Sequence, residues 1–291
     1  MRTRIAYAHK LIKQISRTGD TLSNNKWKVA ELIFTGNELL NGNVLNTNSQ
    51  WIASILTSLG VEVKRMEVIE DNIDVIARAI RESLDRKPDF IVVSGGLGPT
   101  YDDVTLEGIA KGLGKVLKVN QVALKMVSDR YALAEKAGLL KVKESERLIL
   151  KMASLPTDAL PLTNPVGTAP GVMIEQYGTV LFSVPGVPTE MKAIFNYTIV
   201  PWMKNHLGNA FHAQKKILVV GLGESRLGPV IEEAMRKVGD TWIKSCVQGA
   251  GRSEICISTT ASSEEAANRR IQEASNIIIE KARNLGGAIQ G

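Results

Sequence analysis

Cysteine is scarce in this chain, with two residues, Cys246 and Cys256, among 291. That is too few for a disulfide framework and points to a reducing compartment, the cytoplasm. The pair could bridge across a hairpin, but two small buried residues is the reading we prefer. Histidine is equally sparse. His9, His206 and His212 stand alone, and no Cys/His spacing suggests structural zinc. No apolar run reaches the roughly 18 residues of a membrane span. A G-x-G-x-x-G fingerprint and a Walker lysine are both missing. Ser94 precedes Gly95-Gly96 and lies in no G-x-S-x-G elbow, so serine-hydrolase chemistry is not expected. Internal repeats and low-complexity linkers are also absent.

The net charge is +6, which would suggest nucleic acid if it were spread over the chain. It is not. Residues 1–28 hold seven basic side chains and one acid, Asp20, and account for the whole excess. Residues 29–291 carry 29 basic and 29 acidic groups. The high pI therefore belongs to an extension and not to a binding face. Within it Ile5, Ala8, Ile12 and Ile15 fall at helical spacing between basic residues, as in a surface-seeking or organelle-targeting helix. A disordered tail or a start codon placed too far upstream is the reading we favour.

What is present is ordinary globular composition, 44% hydrophobic and 23% charged, over a length that suits about two domains. From Val29 strands and helices alternate. Val29–Phe34, Val61–Ile69 and Phe90–Ser94 read as strands. Asn48–Leu59 reads as a helix with Trp51, Ile52, Ile55, Leu56 and Leu59 on one side. Ile73–Leu84 reads as a second, with Ile73, Ile76, Ala77, Ile80 and Leu84 inward. Apolar strands alternating with helices predict a mostly parallel sheet covered on both faces. Residues 104–152 are mostly helical, two short strands follow (172–175 and 179–184), and a helix runs from Pro188 to about His206. Gly208–His212 marks a boundary. Beyond it a βαββα pattern predicts a small α+β domain over 211–291, after a ligand-binding domain over 29–210.

One stretch is the most informative. Residues 91–105 read IVVSGGLGPTYDDVT, a strand running into a glycine-rich turn and then a helix start. Glycines let the backbone approach an anion, and free N–H groups at the helix start point at it. Ser94, Gly95, Gly96, Gly98 and Thr100 are the candidate phosphate-holding residues. The adjacent carboxylates Asp102 and Asp103 would repel a bare phosphate, so they imply a metal ion or a role in chemistry. One of them could cap the helix, but a cap needs a single side chain.

Ligands of open parallel sheets bind outside the carboxyl ends of the strands. Polar clusters fall at three more such ends: Gly36-Asn37-Glu38 with Asn46-Thr47-Asn48, then Glu70-Asp71-Asn72, then Pro185-Gly186-Val187-Pro188-Thr189-Glu190. Each has a bland alternative. Asp71 also suits a cap of the next helix, Asn46 and Asn48 suit the same role, and Pro185-Gly186 also suits a plain rigid turn. Asn46 and Asn48 would also suit a ribose or base. The run 164–171, NPVGTAPG, is a turn that could present Thr168 to a ligand.

The segment 94–105, with 36–40, 46–49, 164–171, 185–191 and GLGES at 221–225, resembles the CinA family in order across residues 29–291. The amino-terminal part of that family is related to the MoaB/Mog molybdopterin-binding domains. The resemblance implies an α/β fold of that type, a KH-like second domain and homo-oligomerisation. It also implies activity on a small-molecule nucleotide or pterin phosphate. In register, the catalytic aspartate of the Mog branch falls on Asp103 and its second acidic position on Asp71. Asp102 stands where that branch usually carries arginine. The deamidase domain of full-length bacterial relatives would begin where this chain ends, so that activity is not expected.

The leading expectation is a pyrophosphatase acting on ADP-ribose or a related dinucleotide with a divalent metal (Mg²⁺, Mn²⁺ or Co²⁺). Asp71, Asp102 and Asp103 would hold the metal, and Glu38 would serve as base or further ligand. The alternative is a Mog-type molybdopterin protein. A nucleic-acid module is the third reading and the least favoured: residues 211–291 hold no GxxG loop and only eleven basic against nine acidic groups.

Overall fold

In a computed structural model, the structure describes residues 28–138, 146–207, 211–249 and 251–290. The basic segment and its helical pattern of Ile5, Ala8, Ile12 and Ile15 lie outside the described residues. The chain divides into two compact units near His206 and Leu207. No helix of the described residues is long and apolar enough to cross a membrane.

The first unit contains strands β1 (Lys28–Thr35), β2 (Val61–Ile69), β3 (Phe90–Ser94), β4 (Leu117–Val119), β5 (Ser154–Pro156), β6 (Leu160–Leu162), β7 (Gly171–Gln176) and β8 (Thr179–Val184). Its helices are α1 (Asn37–Leu40), α2 (Thr47–Ser58), α3 (Ile73–Asp85), α4 (Thr105–Gly112), α5 (Gln121–Lys136), α6 (Glu146–Ala153), α7 (Pro188–Ile194) and α8 (Val200–His206). The main sheet has the order β2-β1-β3-β8-β7-β6. Its first four strands are mutually parallel, while β7 and β6 are antiparallel to their neighbours. The α/β, mostly parallel sheet expected from sequence is the one observed. The antiparallel turn comes from Tyr177-Gly178, where φ is 53° and 81°. Two left-handed residues make the tight hairpin turn whose twist matches paired strands.

The sheet is covered on both faces. On one, Ile33, Ile91, Val93 and Leu181 meet Ile76, Ile80 and Ile109 of α3 and α4. On the other, Phe90 and Phe182 pack edge-on against Trp202 of α8. The expected inward stripe of the first long helix is kept at Ile52, Leu56 and Leu59, all buried. The stripe of α3 is narrower than expected. Ile76, Ala77 and Ile80 are buried, but Ile73 is exposed at the first turn and Leu84 only half-buried. The predicted helix from Pro188 to His206 widens into a π turn at Phe195–Ile199. Pro201 supplies the reason, since it cannot donate to the carbonyl one turn back and its ring crowds that position. One charge lies inside this core. Glu31 of β1 accepts hydrogen bonds from Ser83 Oγ and from Arg86 Nε and Nη2, each at 2.7 Å.

The second unit has β9 (Phe211–Val220), α9 (Glu224–Val238), β10 (Thr241–Gly249), β11 (Arg252–Ala261), α10 (Glu264–Asn284) and β12 (Ala288–Gln290). Its antiparallel sheet runs β10-β11-β9-β12. The apolar sides of α9 and α10 bury Ile217, Val219, Ile243, Ile255 and Ile257. Cys246 is exposed and Cys256 half-buried, and both are free, which corrects the expectation of two buried residues. Cys246 faces Glu254 across the ladder and Cys256 faces Lys244, so the thiols are offset from one another.

Candidate functional site

Parallel pairing brings four strand ends to one edge. Phe34 is level with Ser94, Ser94 with Val184, and Thr35 with Ile69. The loops that leave β1, β2, β3 and β8 therefore start side by side. Between them, with the 164–170 loop, lies a cleft of about 500 Å³.

The glycine loop is shaped by close approach. Gly95 (φ 127°) donates from N to Val184 O at 3.0 Å, and a Cβ there would overlap the Thr35 carbonyl. Gly96 has φ 59°, and a Cβ there would overlap Thr105 Oγ1. Only glycine allows the chain to pass so near the end of β1. Thr105 N then bonds Gly96 O at 3.2 Å, and Thr105 Oγ1 meets Thr35 Oγ1 at 3.1 Å.

The cleft wall contains Glu38, Asp71, Asp102 and Asp103. It also contains Gly95, Gly96, Gly98 and Thr100 of the glycine loop, and Thr168, Pro185 and Gly186 from the far side. Three candidates stand off this wall. Asn46 Oδ1 accepts from Ser49 N and serves the start of α2. Asn48 donates to Ser94 Oγ at 3.1 Å and Gly186 O at 2.8 Å, and Ser94 Oγ in turn bonds Pro185 O. Asn48 and Ser94 are buried and tie the loops together behind the cleft. Thr35, Tyr131 and Met152 of the wall carry no signal in the sequence, and Val187 and Glu190 belong to the polar cluster at 185–190 without a role of their own there. Tyr131 and Met152 come from helices distant in sequence, which no local motif could have shown.

Neither aspartate caps α4 with its side chain; the N-cap is Val104, with no side-chain bond. Asp103 Oδ2 instead accepts from Thr100 N at 2.8 Å and from the Thr100 hydroxyl. Asp102 Oδ1 also accepts from that hydroxyl, at 2.5 Å. Lys151 Nζ holds the Thr100 carbonyl. The Thr100 hydroxyl bond, more than the attraction of Lys151, keeps the Asp102 carboxyl below its ordinary value. Asp71 is tied to the first loop through Asn37 N at 3.0 Å. Burial pushes its pKa up, against the pull of the Asn37 bond, and the charges of Glu38, Asp102 and Asp103 push it further. Asp71 thus feels the other three carboxylates. Among the described residues, those lining the cleft include no lysine, arginine or histidine.

Such a cluster calls for positive charge from outside, yet it is not a preformed ligand set. Among the described residues no three Asp, Glu, His or Cys side chains are grouped to hold a metal ion. Asp71, Asp102 and Asp103 line one cleft without converging on one point, because Asp102 and Asp103 are turned onto Thr100.

Comparison with known proteins agrees with the fold. A protein of Pyrococcus furiosus is 43% identical over 223 residues, 77% of this chain and 86% of the relative. One of Pyrobaculum aerophilum is 40% identical over 256 residues, 87% of this chain and 93% of the relative. The crystal structure of CinA from Thermoplasma acidophilum, a protein of unknown function, matches with a TM-score of 0.53 at 39% identity. That match covers 60% of this chain and 98% of the other. The model of the probable molybdopterin binding domain matches residues 31–205, the stretch that builds the main sheet and all four loops of the cleft. The chain belongs to that family, with a separate antiparallel-sheet unit joined at its carboxyl side.

Proposed function

We propose that the cleft of the first unit binds a pterin phosphate of the molybdopterin class. What carries this is the cleft at the ends of four parallel strands, walled by the glycine loop, in a chain of the molybdopterin-binding family. The amides of Gly96, Leu97 and Gly98 would face the phosphate. Thr168 and the Pro185-Gly186 turn would face the ring. Asp103 and Asp71 are the residues we assign to chemistry on the phosphate. The test is anaerobic titration of the purified protein with molybdopterin. Saturable binding that weakens in Thr168→Trp, with the fold unchanged by circular dichroism, is expected. Absence of binding, or equal binding by the variant, would overturn the assignment.

A second reading has an observation of its own. Four carboxylates on one wall, three of which push up the pKa of Asp71, with no cation among the described lining residues, suit a phosphate that arrives already chelated by a divalent metal. A metal-chelated dinucleotide such as ADP-ribose would meet that need, with hydrolysis of its diphosphate as the reaction. Incubation with ADP-ribose and Mg²⁺, Mn²⁺ or Co²⁺, reading AMP release, decides it. For the second unit, the βαββα order from β9 to α10, with β12 added on the sheet edge, supports a KH-like assignment.

A further inference from the structure

The five carboxylates of the cleft are not one group. Asp71 feels Glu38, Asp102 and Asp103, while Glu190 is not among its electrostatic neighbours. Glu190 stands apart on the first turn of α7, against the 164–170 loop, and a dedicated set of contacts holds it there. Its Oε2 accepts from Asn164 Nδ2 at 2.6 Å. Asn164 is 6% exposed, and its remaining bonds run to Ala169 O (2.8 Å), Val166 N (3.2 Å) and Gly167 N (2.8 Å). A Cβ on Gly167 would overlap the Glu190 carboxylate where it meets Asn164, so a larger residue there would displace it. From the other side Arg130 grips the loop, with Nε on Gly167 O at 2.7 Å and Nη1 on Pro165 O at 3.2 Å. A glutamate on a first helical turn needs no such support to favour the helix. This one has a buried amide on one oxygen and the cleft beside it, and Oε1 accepts no hydrogen bond among the described residues.

We infer that Glu190 reads the ring of the ligand by accepting from two adjacent N–H donors. An ionised carboxylate is acceptor-only, so its complement must be donor-only. The 2-amino group and neighbouring ring N–H of a 2-amino-4-oxopyrimidine supply that edge. Pterins have it, and guanine shares it. The N1/N6 edge of adenine sets an acceptor beside its donor and would be repelled. Chelated phosphate offers no donor at all. Glu190 is thus a specificity residue that separates the two readings of the same cleft, and the inference rests on the pterin assignment.

The test uses the intact protein and four probes: neopterin monophosphate, its lumazine analogue with oxygen in place of the 2-amino group, GDP, and ADP-ribose. Glu190→Gln keeps an oxygen for Asn164 and replaces one acceptor with a donor. Wild type should prefer neopterin monophosphate over the lumazine by about tenfold or more, the size of a charge-assisted hydrogen bond. Glu190→Gln should lose that preference and leave any ADP-ribose binding unchanged. The same pattern for GDP alone would support the edge chemistry while moving the ligand from pterin to guanine. Equal binding of neopterin monophosphate and lumazine by wild type overturns the inference but leaves the pterin assignment standing. So does a preference retained in Glu190→Gln. No binding of any 2-amino-4-oxopyrimidine sinks both. The ligand-side comparison needs no variant, so a poorly folding Glu190→Gln does not blunt it.

Discussion

The cleft of the first unit and the ion-paired surface of the second hold carboxylates differently. In the second, three acids are paired. Glu233 lies between Lys237 (2.9 Å) and Lys281 (2.7 Å), Glu254 meets Lys216 at 2.8 Å, and Asp240 meets Arg270 at 3.1 Å. The Lys281 and Lys237 hydrogen bonds pull the Glu233 pKa down to about 2. In the first, Glu31 and other acids are also paired, but Glu38, Asp71, Asp102 and Asp103 line one cleft without a salt bridge among the described residues. Paired acids hold a scaffold together. Unpaired ones gathered in a cleft persist where a ligand needs them.

The largest effect that would sharpen this contrast is a change in the glycine loop. Gly95→Ala puts a Cβ into the Thr35 carbonyl at positive φ and should cost about 3 kcal/mol or more, read by urea denaturation. A fully tolerated alanine would mean that the loop does not need its close approach to β1. Next is Arg86→Met. It strands Glu31, whose hydrogen bonds to Arg86 and Ser83 outweigh burial and keep its pKa low, and should cost about 3 kcal/mol.

The pH responses should differ in sign. The pKa of Asp71 is raised in the fold, so its favourable contribution is full below its unfolded value and is lost as pH rises through the raised one. Asp71→Asn should therefore stabilise the protein at neutral pH, by up to about 1 kcal/mol for a half-exposed group, while impairing the site. Glu233 behaves oppositely. Its contribution is present above the ordinary glutamate value and fades as pH falls through about 2, so Glu233→Gln should flatten acid unfolding. Equal pH slopes in the two variants would break the comparison. The smallest effect belongs to Cys246→Ser. The thiol is free and exposed, and the change should stay within about 0.5 kcal/mol.

Much of the first unit was legible because its signals are long or sharply punctuated. The strands 61–69, 90–94 and 179–184 appear as read, and their polar ends meet as the rule for parallel sheets requires. Strands β4, β5 and β6 were not legible, since three residues carry no period. The roles of Asn48 and Ser94 were misplaced because a polar residue at a strand end looks the same whether it faces a ligand or ties two loops together. The sequence allows one of Asp102 and Asp103 to cap the helix, but neither does; both accept from Thr100, whose expected role was to hold phosphate. Glu190 was visible only as part of a polar cluster. Its support comes from Asn164, Gly167 and Arg130, which only the folded chain brings together.

The central claim is that the unpaired acids mark a pterin-phosphate cleft in the first unit. Anaerobic calorimetric titration with molybdopterin, run on wild type and on Thr168→Trp, tests it most directly, because the indole would fill the cleft from the 164–170 loop. Saturable one-site binding in the wild type, lost in a Thr168→Trp protein that still unfolds cooperatively, is the expected result. No binding, or binding that the tryptophan leaves unchanged, would contradict it.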